Sequence, residues 1–118
     1  MLPVNSRKAI AKFEFGWSIR FICLMLFDWD DEKNQRNIRK HGLSFEESME
    51  IFRRPRLTRI DDRDDYGEIR EINVGIVGEQ IIIVMVHTER LNTIRIISAR
   101  KANHRERSLY YEYLKNKT

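Results

Sequence analysis

The sequence predicts an α+β fold in one domain: a small antiparallel sheet, two helices before its main strands and one helix after them. Three observations carry this. Residues 80–101 hold two apolar, β-branched runs, 81–86 and 93–99, joined by a short polar connection, the pattern of two neighbouring antiparallel strands. Two capped segments with helical spacing precede these strands instead of alternating with them. A third capped, amphipathic segment follows them. A chain of 118 residues holds one core and is too short for two.

Residues 26–29 alternate apolar and polar and predict a short strand. Asp30 is placed to cap a helix whose first turn carries Asp31 and Glu32, favourable at the positive dipole end. That helix runs to about His41 and stops at Gly42, a residue suited to a left-handed cap. Its surface is nearly all polar, with Ile38 as its expected apolar anchor. Ser44 and Glu47 have capping-box spacing, Phe45, Met49 and Phe52 form a helical stripe, and Pro55 ends the segment.

Residues 57–60 read as a strand. Residues 61–67 are acidic but lack the ligand spacing of a calcium loop, so a solvated loop is expected. Residues 68–77 alternate as a strand in which Arg70 shares a face with Ile72, Val74 and Ile76. Gly78 and Glu79 turn the chain into the apolar hairpin. Asn103 and Glu106 form a last capping box, followed by the stripe Leu109, Tyr110, Tyr113 and Leu114.

Residues 1–24 have no clear period. Met25 opens a natural-looking start, so a domain over residues 25–118 is expected, with 1–24 a poorly ordered or non-native extension. The longest early apolar run, 21–27, is far too short to cross a membrane, and an acidic stretch follows it with no small-residue cleavage site. No membrane association is expected. A single cysteine, Cys23, excludes an internal disulfide. Three scattered histidines beside it offer no zinc spacing, and there is no glycine-rich phosphate loop or nucleophile elbow, so neither metal nor cofactor is expected.

The formal charge is +4, unevenly spread. Residues 90–118 carry eight basic and two acidic side chains, whereas residues 25–89 carry ten basic and fifteen acidic ones. A basic C-terminal third suits phosphates or an acidic partner, and equally a solvated helix. His87, Glu89, Arg90, Arg95, Arg100 and Lys101 lie in or beside the most hydrophobic stretch, where charge needs a reason. By strand parity Arg95 and Arg100 face opposite ways unless the strand bulges or ends before Arg100. The expectation is the second: Arg100 and Lys101 sit at the strand-to-helix junction.

Residues 27–30, Lys33, Asn37, Lys40-His41-Gly42, Phe45-Glu46-Glu47 and His87-Thr88-Glu89-Arg90, followed by residues 94–100, resemble the BrnT toxins in order and spacing. These are type II toxin–antitoxin ribonucleases with a RelE-like fold. The resemblance covers about residues 25–114. Where the family often has two arginines, this chain has Arg100-Lys101, and the lysine loses bidentate phosphate geometry. The resemblance implies a metal-independent endoribonuclease that arrests translation in the cytoplasm. It also implies a cognate BrnA-like antitoxin encoded in the same operon, with operator DNA bound only through the antitoxin complex.

Metal-free RNA cleavage needs a group to take the 2′-OH proton and cations for the phosphorane charge. In this reading His87, Glu89, Arg70, Arg100 and Lys101 form the catalytic set, with His87 or Glu89 as base. Arg90, Arg95, Arg105 and Trp29 contact RNA. Each also has a plain structural reading: His87 a strand-end hydrogen bonder, Glu89 a partner of Arg90, Arg95 a partner of Glu71 or Glu79, Trp29 a core ring. Two non-enzymatic alternatives stand beside the nuclease: a nucleic-acid-binding module that does not cleave, and a module serving only its antitoxin partner.

Overall fold

The computed structural model describes residues 6–14 and 22–116. Its elements are β1 (Ser6–Glu14), β2 (Ile22–Asp30), α1 (Asp31–His41), α2 (Phe45–Ser48) running into a 3-10 segment (Met49–Arg53), β3 (Leu57–Ile60), β4 (Arg70–Val77), β5 (Ile81–Arg90), β6 (Thr93–Lys101) and α3 (His104–Asn116). The six strands form one sheet in the order β1-β2-β6-β5-β4-β3. Among the described residues no helix is long and apolar enough to cross a membrane.

The fold is α+β, with two departures from the expected layout. The sheet is mixed: β2 runs parallel to β6, with Phe27 opposite Ile94 and Asp28 opposite Arg95. The two early helices follow a strand pair instead of leading the chain. The expected boundary at Met25 falls inside β2, which starts at Ile22 and pairs with β1 from Ser6–Asp30 to Glu14–Ile22. Of the proposed extension, residues 1–5 and 15–21 lie outside the described residues.

Strand β5 is buried from Ile82 to Thr88, on both faces, as its unbroken apolar run demands. On one face α1, α2 and the 3-10 segment cover a core of Phe27, Trp29, Phe45, Ile51, Phe52, Ile83, Met85, Ile94 and Ile96. On the other, α3 packs Tyr110 against Ile72, Ile82, Val84 and Val86, and the Tyr110 hydroxyl donates to Pro55 O at 2.7 Å. Gly75 in β4 admits the first layer closely: a Cβ there would lie 3.0 Å from Ile51 Cβ.

The caps form as their residues dictate. The Asp30 carboxylate accepts from Glu32 N and Lys33 N, and Gly42 ends α1 at φ 68°. Ser44 and Glu47 close a reciprocal capping box. Ile38, however, is 37% exposed and belongs to neither core cluster. Helix α1 docks through two asparagines. Buried Asn34 accepts from Phe45 N at 2.8 Å and donates to Glu46 Oε1 at 3.0 Å. Asn37 Nδ2 donates to Leu43 O at 2.8 Å and to Ala99 O at 2.7 Å. Periodicity counts apolar side chains, so it cannot see a helix held by amides.

The last strand differs from expectation in a way that matters for function. It continues to Lys101 and bulges: Val86 pairs with Ser98 but His87 pairs with Ile96, leaving Ile97 unmatched. The bulge shifts parity by one, so Arg95 and Arg100 share a face after all. The acidic loop is also not fully solvated. Asp61 is buried at its start, gripped by both arms of Arg63 at 2.8 Å and by the Tyr66 hydroxyl at 3.2 Å.

Replacing Asn34 with Ala leaves the Phe45 N–H unsatisfied at the start of α2. The Asn34→Ala variant is expected to lose about 1–3 kcal/mol of stability, measured as a lowered urea midpoint with an unchanged m-value. A midpoint equal to that of the parent would show that α1 does not depend on this amide.

Candidate nucleic-acid interface

Strand register sorts the charged residues by face. On the α3 side one row across the sheet reads Asp28, Arg95, Thr88, Arg70. The next reads Ser98, Val86, Ile72, Arg59, and the one after it Arg100, Val84, Val74, Leu57. Helix α3 covers only part of this surface. Beside it a groove of about 110 Å³ is lined by Arg59, Arg63, Ile72, Val86, Ser98, Arg100 and Glu106. An apolar slot of about 150 Å³, bounded by Leu57, Val74 and Leu109, adjoins it through Arg59, Ile72 and Glu106.

The arginines are held by acids. Arg100 makes a two-pronged pair with Glu106, Nη1 to Oε1 at 2.8 Å and Nη2 to Oε2 at 2.7 Å. Glu106 also accepts from Asn103 N at 2.8 Å, completing the α3 capping box. The Arg100 hydrogen bond holds the Glu106 carboxyl below its usual range, with Asn103 N and the charge of Arg59 adding to the effect against partial burial. Arg63 does the same to Asp61, more strongly. Arg59 is exposed and has no hydrogen-bond partner among the described residues. Arg95 pairs with Asp28 at 3.3 Å, not with Glu71 or Glu79. Arg70 binds Glu68 at 3.2 Å and stacks over the Tyr66 ring at 4.0 Å, while Arg90 takes the other Glu68 oxygen.

The structure therefore brings Arg70, Arg90, Arg95 and Arg100 to one face of the sheet and leaves His87, Glu89, Lys101 and Trp29 off it. His87 and Glu89 lie on the opposite side, and Lys101, paired with Ile83, also points away from Arg100. Trp29 is 1% exposed and packs edge-on against Phe45, so its ring is closed to a base. Arg105 is exposed in the first turn of α3. Arg59, Arg63 and Glu106 escaped the sequence reading as site residues. Arg59 alternates with Leu57 in a predicted strand, which places it on a defined face, but nothing local says which face or beside what.

His87 is fully buried, edge-on to Phe52. Its Nδ1 lies 2.8 Å from Asn73 Nδ2. The Asn73 amide is oriented by Arg56 Nε and the Thr58 hydroxyl, which both donate to its oxygen, and by its own bond to Met85 O. Asn73 is thus the donor, Nδ1 the acceptor, and the imidazole proton sits on Nε2. Burial pushes the His87 pKa down, against the pull of Glu71 and Glu89. A neutral imidazole whose free nitrogen already carries a proton cannot be the base at Nε2. Among the described residues no group of three or more His, Cys, Asp and Glu is arranged to hold a metal ion.

An open sheet face with four arginines across its rows, a fifth from the adjoining loop and a lone carboxylate in the groove defines a small α+β protein with a strongly cationic surface. Comparison with known proteins gives its family. Residues 29–106 match the family described as the ribonuclease toxin BrnT of type II toxin–antitoxin systems, and the chain belongs to that family. The 1.1 Å crystal structure of the Brucella abortus ribonuclease toxin BrnT is similar to it at 28% identity, over 64% of this chain and 94% of that one, with a TM-score of 0.50. No curated protein sequence matches the chain.

Because His87 is buried neutral, the unfolded chain binds a proton that the native state refuses. Stability is expected to fall as pH drops below the ordinary histidine value near 6.5. Urea midpoints at pH 7.5 and 5.5 check this: the drop should shrink in His87→Gln, and an equal drop in both proteins would rule out His87 as its source.

Proposed function

We propose that this toxin cleaves RNA without a metal, with the scissile phosphate seated in the groove beside α3. Arg100, Arg59 and Arg63 hold the phosphate oxygens and Glu106 accepts the 2′-OH proton. The 2′-oxygen bonds to phosphorus, the bond to the 5′-oxygen breaks, and water supplies the proton that the 5′-oxygen takes up. Products are a 2′,3′-cyclic phosphate and a free 5′-hydroxyl. The observation that carries this reading is the pairing of Arg100 with Glu106 inside a groove that Arg59 and Arg63 also line. Arg70, Arg95 and Arg90 extend the cationic track, and Arg105 lies at the exposed start of α3. His87 and Lys101 act through structure or through surface charge in this reading.

All the groove residues lie within residues 25–118, the proposed functional unit. By family resemblance the fold is RelE-like and the toxin acts in the cytoplasm. There it arrests translation until a BrnA-like antitoxin from the same operon binds it, operator DNA being reached only through that complex. The alternative, a module that binds nucleic acid without cutting, makes a different prediction in the same assay.

Purified protein is expected to cleave a long RNA at equal rates in magnesium and in EDTA, leaving cyclic-phosphate ends. Cleavage confined to magnesium would refute the metal-free route, and retention of intact RNA on the protein would favour the binding module. Arg100→Ala is expected to slow cleavage by about a hundredfold or more. Glu106→Gln should cost about 10²–10⁴-fold and flatten the acid limb of the pH–rate profile. An unchanged profile would remove Glu106 from the proton transfer.

A further inference from the structure

Apart from the arginine groove, a cleft of about 440 Å³ opens at the ends of β4 and β5. Glu68, Ile69, Glu71, His87, Thr88, Glu89 and Arg90 line it. Glu68 is matched by Arg70 and Arg90. Glu71 and Glu89 pair with neither a lysine nor an arginine among the described residues. Each instead stands 3.8 Å from His87 Nε2, which is buried, carries a proton and has no hydrogen-bond partner.

These groups select their ligand by exclusion. Two carboxylates without a counter-charge repel an RNA phosphate. A metal ion needs a lone pair at Nε2, and Asn73 directs the proton there. A guanidinium fits: its planar fork binds a carboxylate through two N–H donors, and the remaining oxygen lone pairs can accept from His87 Nε2. The rim is apolar. Ile69 is 70% exposed, and Ile60, which pairs across β3 and β4 with Glu71, is 56% exposed. Charge and rim together fit an arginine flanked by apolar side chains.

We propose that this cleft is a docking site for an arginine of a protein partner, which for a type II toxin is the antitoxin. The cleft opens at the ends of β4 and β5, where Arg90 reaches it from the cationic track, but no residue of the proposed cleavage groove lines it, so the peptide measurement does not depend on the cleavage mechanism.

The probe is the capped tripeptide Leu-Arg-Leu, compared with Leu-citrulline-Leu, which keeps the shape and loses the charge. Binding is read from the His87 Nε2–H resonance in 15N-labelled full-length protein. The arginine peptide is expected to shift that resonance saturably, at least tenfold more tightly than the citrulline peptide. Glu71→Gln, an isosteric change, should abolish the preference while leaving RNA cleavage within twofold of the parent. Equal binding of the two peptides, no shift at about 10 mM peptide, or displacement of the arginine peptide by a short oligoribonucleotide would each overturn the proposal. So would loss of cleavage in Glu71→Gln, because the cleft would then belong to the nuclease site. If the parent protein fails to cleave RNA, the proposed mechanism falls and the peptide measurement still decides the cleft.

Discussion

Strand β5 is buried on both faces, and most of the architecture answers that constraint. A run of apolar residues with no polar alternation cannot leave either side to water, so helices must cover both. The early helices and the 3-10 segment close one face completely enough to bury Trp29, Phe45 and Ile83. A single helix of 13 residues covers the other. It is too small for the whole surface, and what it leaves open is the groove. The face proposed for RNA is thus the side on which cover runs short, with arginines where a second helix would have placed apolar groups.

The second controlling feature is one residue of excess length in β6. Without the bulge at Ile97, Arg95 and Arg100 would point to opposite faces, and Ile96 and Ala99 could not both enter the same core. With it, the apolar residues on either side of the bulge reach one layer and the arginines reach the other. The same bulge sits beside His87, which Asn73 locks in one tautomer. Buried polar groups here serve alignment: the Arg56–Asn73–His87 chain ties β3 and its approach to β4 and β5 at the point where the ladder is irregular.

Local chemistry was legible in the sequence. Asp30, Gly42, the Ser44–Glu47 box and the Asn103–Glu106 box sit where their side chains said they would, because a cap is decided within four residues. Strand positions 57–60 and 93–99 were equally plain from their patterns, while the continuation of the last strand to Lys101 was not. The site was only half legible. Arg70, Arg95 and Arg100 were named, but their common face depended on a bulge, and a bulge leaves no periodic mark. Glu106 looked like a cap and is one; its pairing with Arg100, on which its proposed second role rests, shows only in the fold. Arg59 and Arg63 come from segments whose neighbours are set by pairing between distant strands. His87 attracted attention for its chemistry, and the structure adds what the sequence did not show, its burial against Phe52 and its bond to Asn73.

Asn37 shows how narrow such a solution can be. One nitrogen sends its two hydrogens to Leu43 O and to Ala99 O, joining the end of α1, the loop after it and the strand position next to Arg100. Serine offers one hydrogen, aspartate none, and glutamine carries its amide one carbon farther out. Each of these three substitutions loses or displaces a bond that holds α1 to β6. The constraint comes from a junction of helix, loop and strand, so a residue on which such a toxin depends need not be one that touches RNA.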